Sequence, residues 1–364
     1  MRICFLCSEI FEWGKYGGFG RATRMLGREL ARRGYPVSAV VPLRGDQKPV
    51  EQLDGITVLG FPASRFWQAG ELCREADADI YHSQQPSLGT YVALRAMPDR
   101  KHIVTSRDPR DNHDWWLEIR SPSKSRLRTL IAYAYEGSPP ARRAVKSCDG
   151  LFHTAHCVRD KMRRVYRSDQ DQGFLPTPVE VPASAPVKSE TPTVCFVGRW
   201  DRRKRPELFF ELAKTHPHVQ FIALGKSQDE ARDRELHERY ADVSNLEMMG
   251  FINQFTSNRL SEVLGRSWIL INTSTRESLP TSFLEALAHR CALLSQFDPE
   301  QTSSRFGYHA EGSSLAAGLA SLLEGDAWRE KGEAGFRYVS EHYELQGAID
   351  RHVEVYEQAL VRSS

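Results

Sequence analysis

The 364-residue sequence contains no long apolar run. None approaches the ~18 residues of a membrane-spanning helix, which excludes a helical membrane enzyme. A secretory leader is not expected either, because the apolar stretch Ile3–Leu6 is short and Ser8, Glu9 and Glu12 follow it closely. Cysteine is sparse, odd in number and scattered: Cys4, Cys7, Cys73, Cys148, Cys157, Cys195 and Cys291. Cys4 and Cys7 form a CxxC, but no second pair completes a zinc site, and both lie in a strand-like run rather than at a helix N-terminus. They are expected to be buried structural thiols, in a reducing compartment and so the cytoplasm. Internal repeats are absent, and no side chain stands out as a nucleophile.

What remains is an ordinary globular composition, 40% hydrophobic and 26% charged. The length exceeds what one core usually supports, so two domains of roughly 150–200 residues are expected. The net charge of +2 is unevenly spread. Residues 1–183 carry 28 basic against 21 acidic side chains, and residues 184–364 carry 21 against 26. A basic first half suits an anionic partner, although simple surface solvation explains it equally well.

Short apolar runs alternate with helical segments, twice over. In the first half they are Ile3–Leu6, Pro36–Val41, Ile56–Leu59, Ile80–His82, His102–Thr105, Leu151–His153 and Phe174–Leu175, with a helix from about Phe19 to Arg33. The stretch Leu175–Thr191, with prolines at 176, 178, 182 and 186, predicts an interdomain linker. The pattern then restarts. Strands are expected at Val194–Val197, Phe221–Leu224, Leu246–Met248, Trp268–Ile271 and Ala292–Leu294. Helices are expected at Pro206–Lys214, around Leu260 and at Ser282–His289. A last helix shows an apolar face of Ala348, Val353, Val355, Tyr356 and Leu360. Such runs predict parallel sheets covered on both faces, with ligands at the strand C-termini.

Three segments carry candidate chemistry. Gly14-Lys15-Tyr16-Gly17-Gly18-Phe19-Gly20 follows the first strand and opens a helix, where glycines let a ligand approach the backbone and free N–H groups suit an anion. It is not the G-x-G-x-x-G dinucleotide fingerprint, and it could be a turn with no ligand. Arg21, Arg24, Arg28 and Arg32 then fall on one helix face, most simply a solvated stripe, with Arg21 placed to meet an acceptor phosphate. In Phe196-Val197-Gly198-Arg199-Trp200-Asp201-Arg202-Arg203-Lys204-Arg205-Pro206, Arg199 and Lys204 flank a helix primed by Pro206, an arrangement that suits a diphosphate. A solvated basic loop is the plainer alternative. In Glu277-Ser278-Leu279-Pro280-Thr281-Ser282-Phe283-Leu284-Glu285 two carboxylates flank a helix start. They can reach different hydroxyls of one elongated ligand while the N-terminus near Thr281 accepts a phosphate. A capping acid and a salt-bridge partner would look the same.

Taken together, these segments resemble the retaining glycosyltransferases of family 4 across nearly the whole chain, with Glu-x7-Glu followed by Ala286-Leu287-Ala288 as the most specific element. The resemblance implies a GT-B fold, that is, two Rossmann-like doubly wound parallel-sheet α/β domains facing a central cleft. Residues 1–183 would bind the acceptor and 184–345 the nucleotide sugar, with 346–364 a helix returning to the first domain. It implies that Glu285 binds the ribose, Glu277 the transferred sugar, and Arg199 and Lys204 the diphosphate. Backbone groups at Leu279, Pro280 and Thr281 would complete the phosphate site, with Gly17 and Gly18 near the phosphates from the first domain. It implies a UDP-, GDP- or ADP-sugar donor, a hydroxyl acceptor, retention of configuration and no metal. Glu277, Arg199 and Lys204 would carry catalysis.

The chain also departs from that family. Arg107-Asp108-Pro109 stands where members commonly carry a histidine, Arg290-Cys291-Ala292 replaces the usual Gly-x-Pro, Gln296–Tyr308 replaces a glycine-rich loop, and Thr177 replaces a linker asparagine. Arg107 is the candidate to stand in for that histidine, as a donor-phosphate or an acceptor contact. Arg21, Arg107 and His113 are the acceptor-side candidates, with His82 and His113 cleft residues unless they are structural. The basic first half favours an anionic acceptor, such as an anionic lipid, a sugar phosphate or a cell-surface glycan precursor, and no nucleic acid is expected. Trp115-Trp116 with Arg120, Lys124, Arg126 and Arg128 is either a membrane-touching segment or a core pair with a polar loop. A non-catalytic sugar-nucleotide-binding scaffold and a sugar-nucleotide epimerase are the alternatives.

Overall fold

A computed structural model describes residues 1–14, 16–120, 126–170, 172–312 and 314–361. Lys15 and Lys124 lie outside the described residues. The chain forms two compact units. One comprises Met1–Arg120, Arg126–Pro178 and the chain from Leu345 onward, and the other comprises Val179–Glu344.

The first unit is built on eight strands: β1 (Ile3–Leu6), β2 (Val37–Pro42), β3 (Val50–Leu53), β4 (Ile56–Phe61), β5 (Ile80–Ser83), β6 (Lys101–Ser106), β7 (Gly150–His153) and β8 (Gln172–Phe174). Their order is β3-β4-β2-β1-β5-β6-β7-β8, parallel throughout except for β3, which pairs antiparallel with β4. Every residue of β1 and β5 is buried, as expected for strands covered on both faces. Ile3, Phe5, Leu26, Leu30 and Val58 form one core with Ile349, Val355 and Tyr356 of the helix Leu345–Val361. Burying each such side chain stabilises the fold by about 1.5–3 kcal/mol. The order reverses at β1, so the crevice of this sheet opens beyond the C-terminal ends of β1 and β5.

The second unit has six parallel strands: β9 (Thr193–Val197), β10 (Gln220–Leu224), β11 (Leu246–Gly250), β12 (Ile269–Asn272), β13 (Ala292–Ser295) and β14 (Gly307–His309). Their order is β11-β10-β9-β12-β13-β14, with the reversal between β9 and β12. Phe196, Phe209, Phe210, Phe221, Ile271 and Leu294 interlock in its core with the fully buried Trp200 and Trp328. The prolines around Pro182 do not leave the connecting segment loose. Lys188 donates to the carbonyls of Ser267 and His289 at 2.5 and 2.7 Å, at the C-terminal ends of two helices where a cation is favoured.

Two strands escaped the sequence reasoning, β3 and β14. All the other expected strands are present, with ends shifted by a few residues. The helices also hold, Gly18–Arg32, Pro206–Thr215, Arg259–Arg266 and Thr281–Ala288 among them.

Candidate active site

In the second unit the loops after β9 and β12, the two strands at the reversal, carry the charged candidates. After β9 the chain turns through Gly198 and Arg199. The Asp201 carboxylate takes the backbone N–H groups of Arg203 and Lys204 at 3.1 Å each, and this local turn fixes where Lys204 projects. The turn passes unusually close to the loop after β10: Gly225 has φ +134°, and a Cβ there would lie 1.8 Å from the Gly198 carbonyl oxygen. Only glycine fits that approach.

Arg205 adopts the left-handed conformation just ahead of Pro206, which is unusual for a residue preceding proline. Its guanidinium donates to the Thr273 and Ser274 carbonyls at 2.7 and 3.2 Å and also bonds Gln296. Thr273 Oγ1 donates back to the Lys204 and Arg205 carbonyls at 2.5 and 2.8 Å. The loops after β9 and β12 are thereby tied together. Burial away from carboxylates holds the Arg205 guanidinium below its ordinary range. Sequence reasoning missed Arg205, Thr273 and Gln296, because nothing in a basic run marks which cation turns inward.

That tie brings Lys204 and Glu277 into a direct ion pair, and Ser274 Oγ donates to the same Glu277 carboxylate at 2.8 Å. Arg199 sits beside Asp201, 3.3 Å away, and is about a third exposed. Leu279 leads to Pro280, which precedes the helix Thr281–Ala288 with extended geometry and no side-chain cap. The Phe283 N–H closes back on the Pro280 carbonyl at 3.0 Å, and the helix N-terminus, with its partial positive charge, favours an anion. Glu285 lies on the same helix and is buried, 8% exposed. This arrangement can pair two cations and a helix N-terminus with a polyanion while two carboxylates accept from hydroxyls.

The remaining candidates belong to the first unit. Gly17 precedes the helix Gly18–Arg32, and the Glu9 carboxylate lies over its first turn, accepting from the Gly20 N–H at 3.2 Å. A Cβ on Gly17 would meet Glu9, and one on Gly20 would meet the Ile10–Phe11 backbone. The arginine stripe on this helix is solvated only in part: Arg32 is exposed, Arg21 and Arg28 are half-buried, and Arg24 departs from the expectation. Arg24 is buried, bonded to Glu12 and Asp54 at 2.5 and 2.7 Å, because acids from the loop after β1 and from the β3–β4 turn cover it. Arg21 is half-buried at the first turn.

His82 is a structural histidine. Fully buried, it has Nδ1 2.7 Å from the Tyr356 hydroxyl and Nε2 2.7 Å from Thr105 Oγ1, and burial pushes its pKa well down. His113 is exposed and stacks on Trp116. Trp115 is buried, whereas Trp116 is exposed under the Arg120 guanidinium, so the two tryptophans are not a core pair. Asp111, His113 and Asp114 could converge on a cation, but Asp114 already pairs with Lys161 at 2.5 Å and accepts from the Asp111 N–H. Cys4 and Cys7 are buried free thiols with raised pKa values, about 12 for Cys4, which suits neither metal nor redox chemistry.

Comparison with known proteins agrees with this architecture. Residues 17–176 match the family described as the glycosyl transferase 4-like domain, and residues 180–327 match glycosyl transferases group 1. No curated protein matches the sequence. Among solved structures, a sucrose-phosphate synthase from Thermosynechococcus elongatus superposes with a TM-score of 0.76 at 16% identity, covering 100% of both chains. Anabaena HepE in complex with UDP-glucose gives 0.71 at 13% identity, over 98% of this chain and 100% of that one. The lipopolysaccharide outer core galactosyltransferase WaaB gives 0.65 at 13%, over 100% of both. With both halves matched in order and the two reversed parallel sheets in place, the chain belongs to the GT-B glycosyltransferases that join a 4-like domain to a group 1 domain.

Proposed function

We propose that the protein transfers a hexose from a nucleoside-diphosphate sugar to a hydroxyl acceptor, with retention of configuration and without a metal. The observation that carries this reading is the Lys204–Glu277 pair beside the N-terminus of the helix Thr281–Ala288, at the reversal of the second sheet. Lys204 and Arg199 hold the diphosphate, the backbone at Leu279, Pro280 and Thr281 adds donors, Glu277 orients the sugar, and Glu285 takes the ribose hydroxyls. The crystals of Anabaena HepE with UDP-glucose support a donor of this class.

In the proposed step the acceptor oxygen bonds to the anomeric carbon as the bond to the leaving diphosphate oxygen breaks. The acceptor proton passes to that oxygen on the same face. Arg199, Lys204 and the helix N-terminus stabilise the charge that builds on the leaving group. All seven cysteines are free, which supports a reducing cytoplasmic setting. Among the described residues no helix is long and apolar enough to cross a membrane. Leu127, Leu130 and Ile131 are nonetheless exposed on the helix Arg126–Glu136, alongside Arg126 and Arg128, which supports peripheral contact with an anionic bilayer.

The test is slow hydrolysis across UDP-, GDP- and ADP-sugars, followed by NMR of the released sugar. One donor class should release free nucleoside diphosphate, the sugar should keep the donor's anomeric configuration, and EDTA should leave the rate unchanged. Inverted product, or a rate abolished by EDTA and restored by a divalent ion, would contradict the proposal.

A further inference from the structure

The first unit holds a buried positive charge that is not among the donor residues assigned above. Arg107 directly follows β6 and is only 5% exposed. One terminal nitrogen donates to Thr177 Oγ1 at 3.0 Å, the other donates to Gln84 Oε1 at 2.5 Å, and Nε–H has no partner. Both acceptors are neutral, and among the described residues no carboxylate pairs with this guanidinium. The titratable groups acting on it are Tyr356 and Cys7, which burial keeps as neutral phenol and thiol. His82 and His352, on the neighbouring strand and helix, are pushed down and stay neutral near pH 7.

The unit's other buried arginine is treated differently, since Arg24 lies between Glu12 and Asp54. Arg110, three positions beyond Arg107, pairs with Asp108, Glu118 and Glu136. A buried cation without a counter-ion is costly, and proteins normally pair it or give it a ligand.

Its location is the second observation. Gln84 directly follows β5 and Arg107 follows β6, next to the reversal at β1, where an open parallel sheet binds its ligands. Arg107 has five N–H donors and two are engaged, so three remain to be satisfied, the buried Nε–H among them.

We propose that Arg107, held by Gln84 and Thr177, is an anion subsite for a phosphate group carried by the hydroxyl-bearing acceptor. This rests on the transferase reading above and adds to it the chemical class of the second substrate.

The experiment is calorimetric titration of inorganic phosphate into the wild type, R107Q, R107K and K204Q, with ionic strength matched by chloride. R107Q should lose about tenfold to a hundredfold in phosphate affinity, R107K should fall between, and K204Q should keep the Arg107 site while losing any phosphate held by the donor site. In phosphate-free buffer R107Q should melt above the wild type, because an uncompensated buried charge has been removed. A purely structural arginine would give the opposite shift. Competition then separates the sources: displacement by a sugar phosphate identifies a soluble acceptor, and displacement by phosphatidylglycerol vesicles a lipid headgroup. Phosphate binding unchanged in R107Q, or lost in K204Q but kept in R107Q, would overturn the subsite. Loss of nucleotide-sugar binding in K204Q reports separately on the donor site.

Discussion

The Lys204–Glu277 pair sets up a result that a simple list of binding residues would not suggest. Lys204 is assigned to the diphosphate and Glu277 to the sugar, yet without donor they neutralise each other. Diphosphate binding must therefore draw Lys204 away from its carboxylate partner. The two side chains are 23% and 16% exposed. Their pairing thus lies at the upper end of the roughly 0.2–1 kcal/mol of surface pairs and well below the roughly 3–5 kcal/mol lost when a buried pair is broken. At about 1 kcal/mol, Glu277→Gln should tighten binding of the free nucleoside diphosphate about fivefold, because Lys204 is released for the ligand. Ser274 Oγ still donates to the amide oxygen, so the loop should keep its shape. Turnover should fall about a hundredfold to a thousandfold, the usual cost of losing one oriented polar group in the transition state. Calorimetry with the diphosphate and steady-state rates with the sugar nucleotide read the two effects separately. If the variant binds the diphosphate more weakly than the wild type, Glu277 does not restrain Lys204 and the reasoning fails.

Glu285→Ala should weaken nucleotide affinity by about 1–3 kcal/mol through loss of charged hydrogen bonds, and unchanged calorimetric affinity would remove Glu285 from the site. Gly225→Ala should destabilise the protein by about 3 kcal/mol or more in urea unfolding, since the new Cβ clashes with the Gly198 oxygen at a positive φ. Burial pushes His352 down to about 4 in the folded protein, below the ordinary value of 6.5. The folded state then binds fewer protons than the unfolded one, so this contribution is present above about pH 6.5 and is lost as the pH falls towards 4. His352→Gln should flatten that acid decline, and urea midpoints at pH 5 and pH 7 measure it.

The parallel core was legible because strands buried on both faces must be short apolar runs, as in β1, β5, β9 and β12. β3 was missed because Val50-Glu51-Gln52-Leu53 is a mostly exposed edge strand with a polar middle. Its signal was present nonetheless. Asp54-Gly55 separates β3 from β4 with φ +51° and +83°, the two-residue hairpin turn that Asp-Gly favours. β14 is three residues long and begins at a glycine packed against the Leu293 backbone, which leaves almost no pattern to read. The spacing of Glu277 and Glu285 was visible, but their different surroundings were not. Lys204 reaches Glu277 only because Asp201 shapes one loop and Arg205 fastens it to the other. Arg24 was misread for a related reason: helical spacing shows that side chains share a face, not whether acids from distant loops cover it.

The central claim is tested most directly by a crystal soaked with whichever nucleotide sugar most raises the melting temperature. The diphosphate should lie within hydrogen-bond reach of Lys204 Nζ and Arg199, with the ribose on Glu285 and the hexose on Glu277. A donor bound elsewhere in the second unit, or one that leaves the Lys204–Glu277 pair intact, would contradict the account.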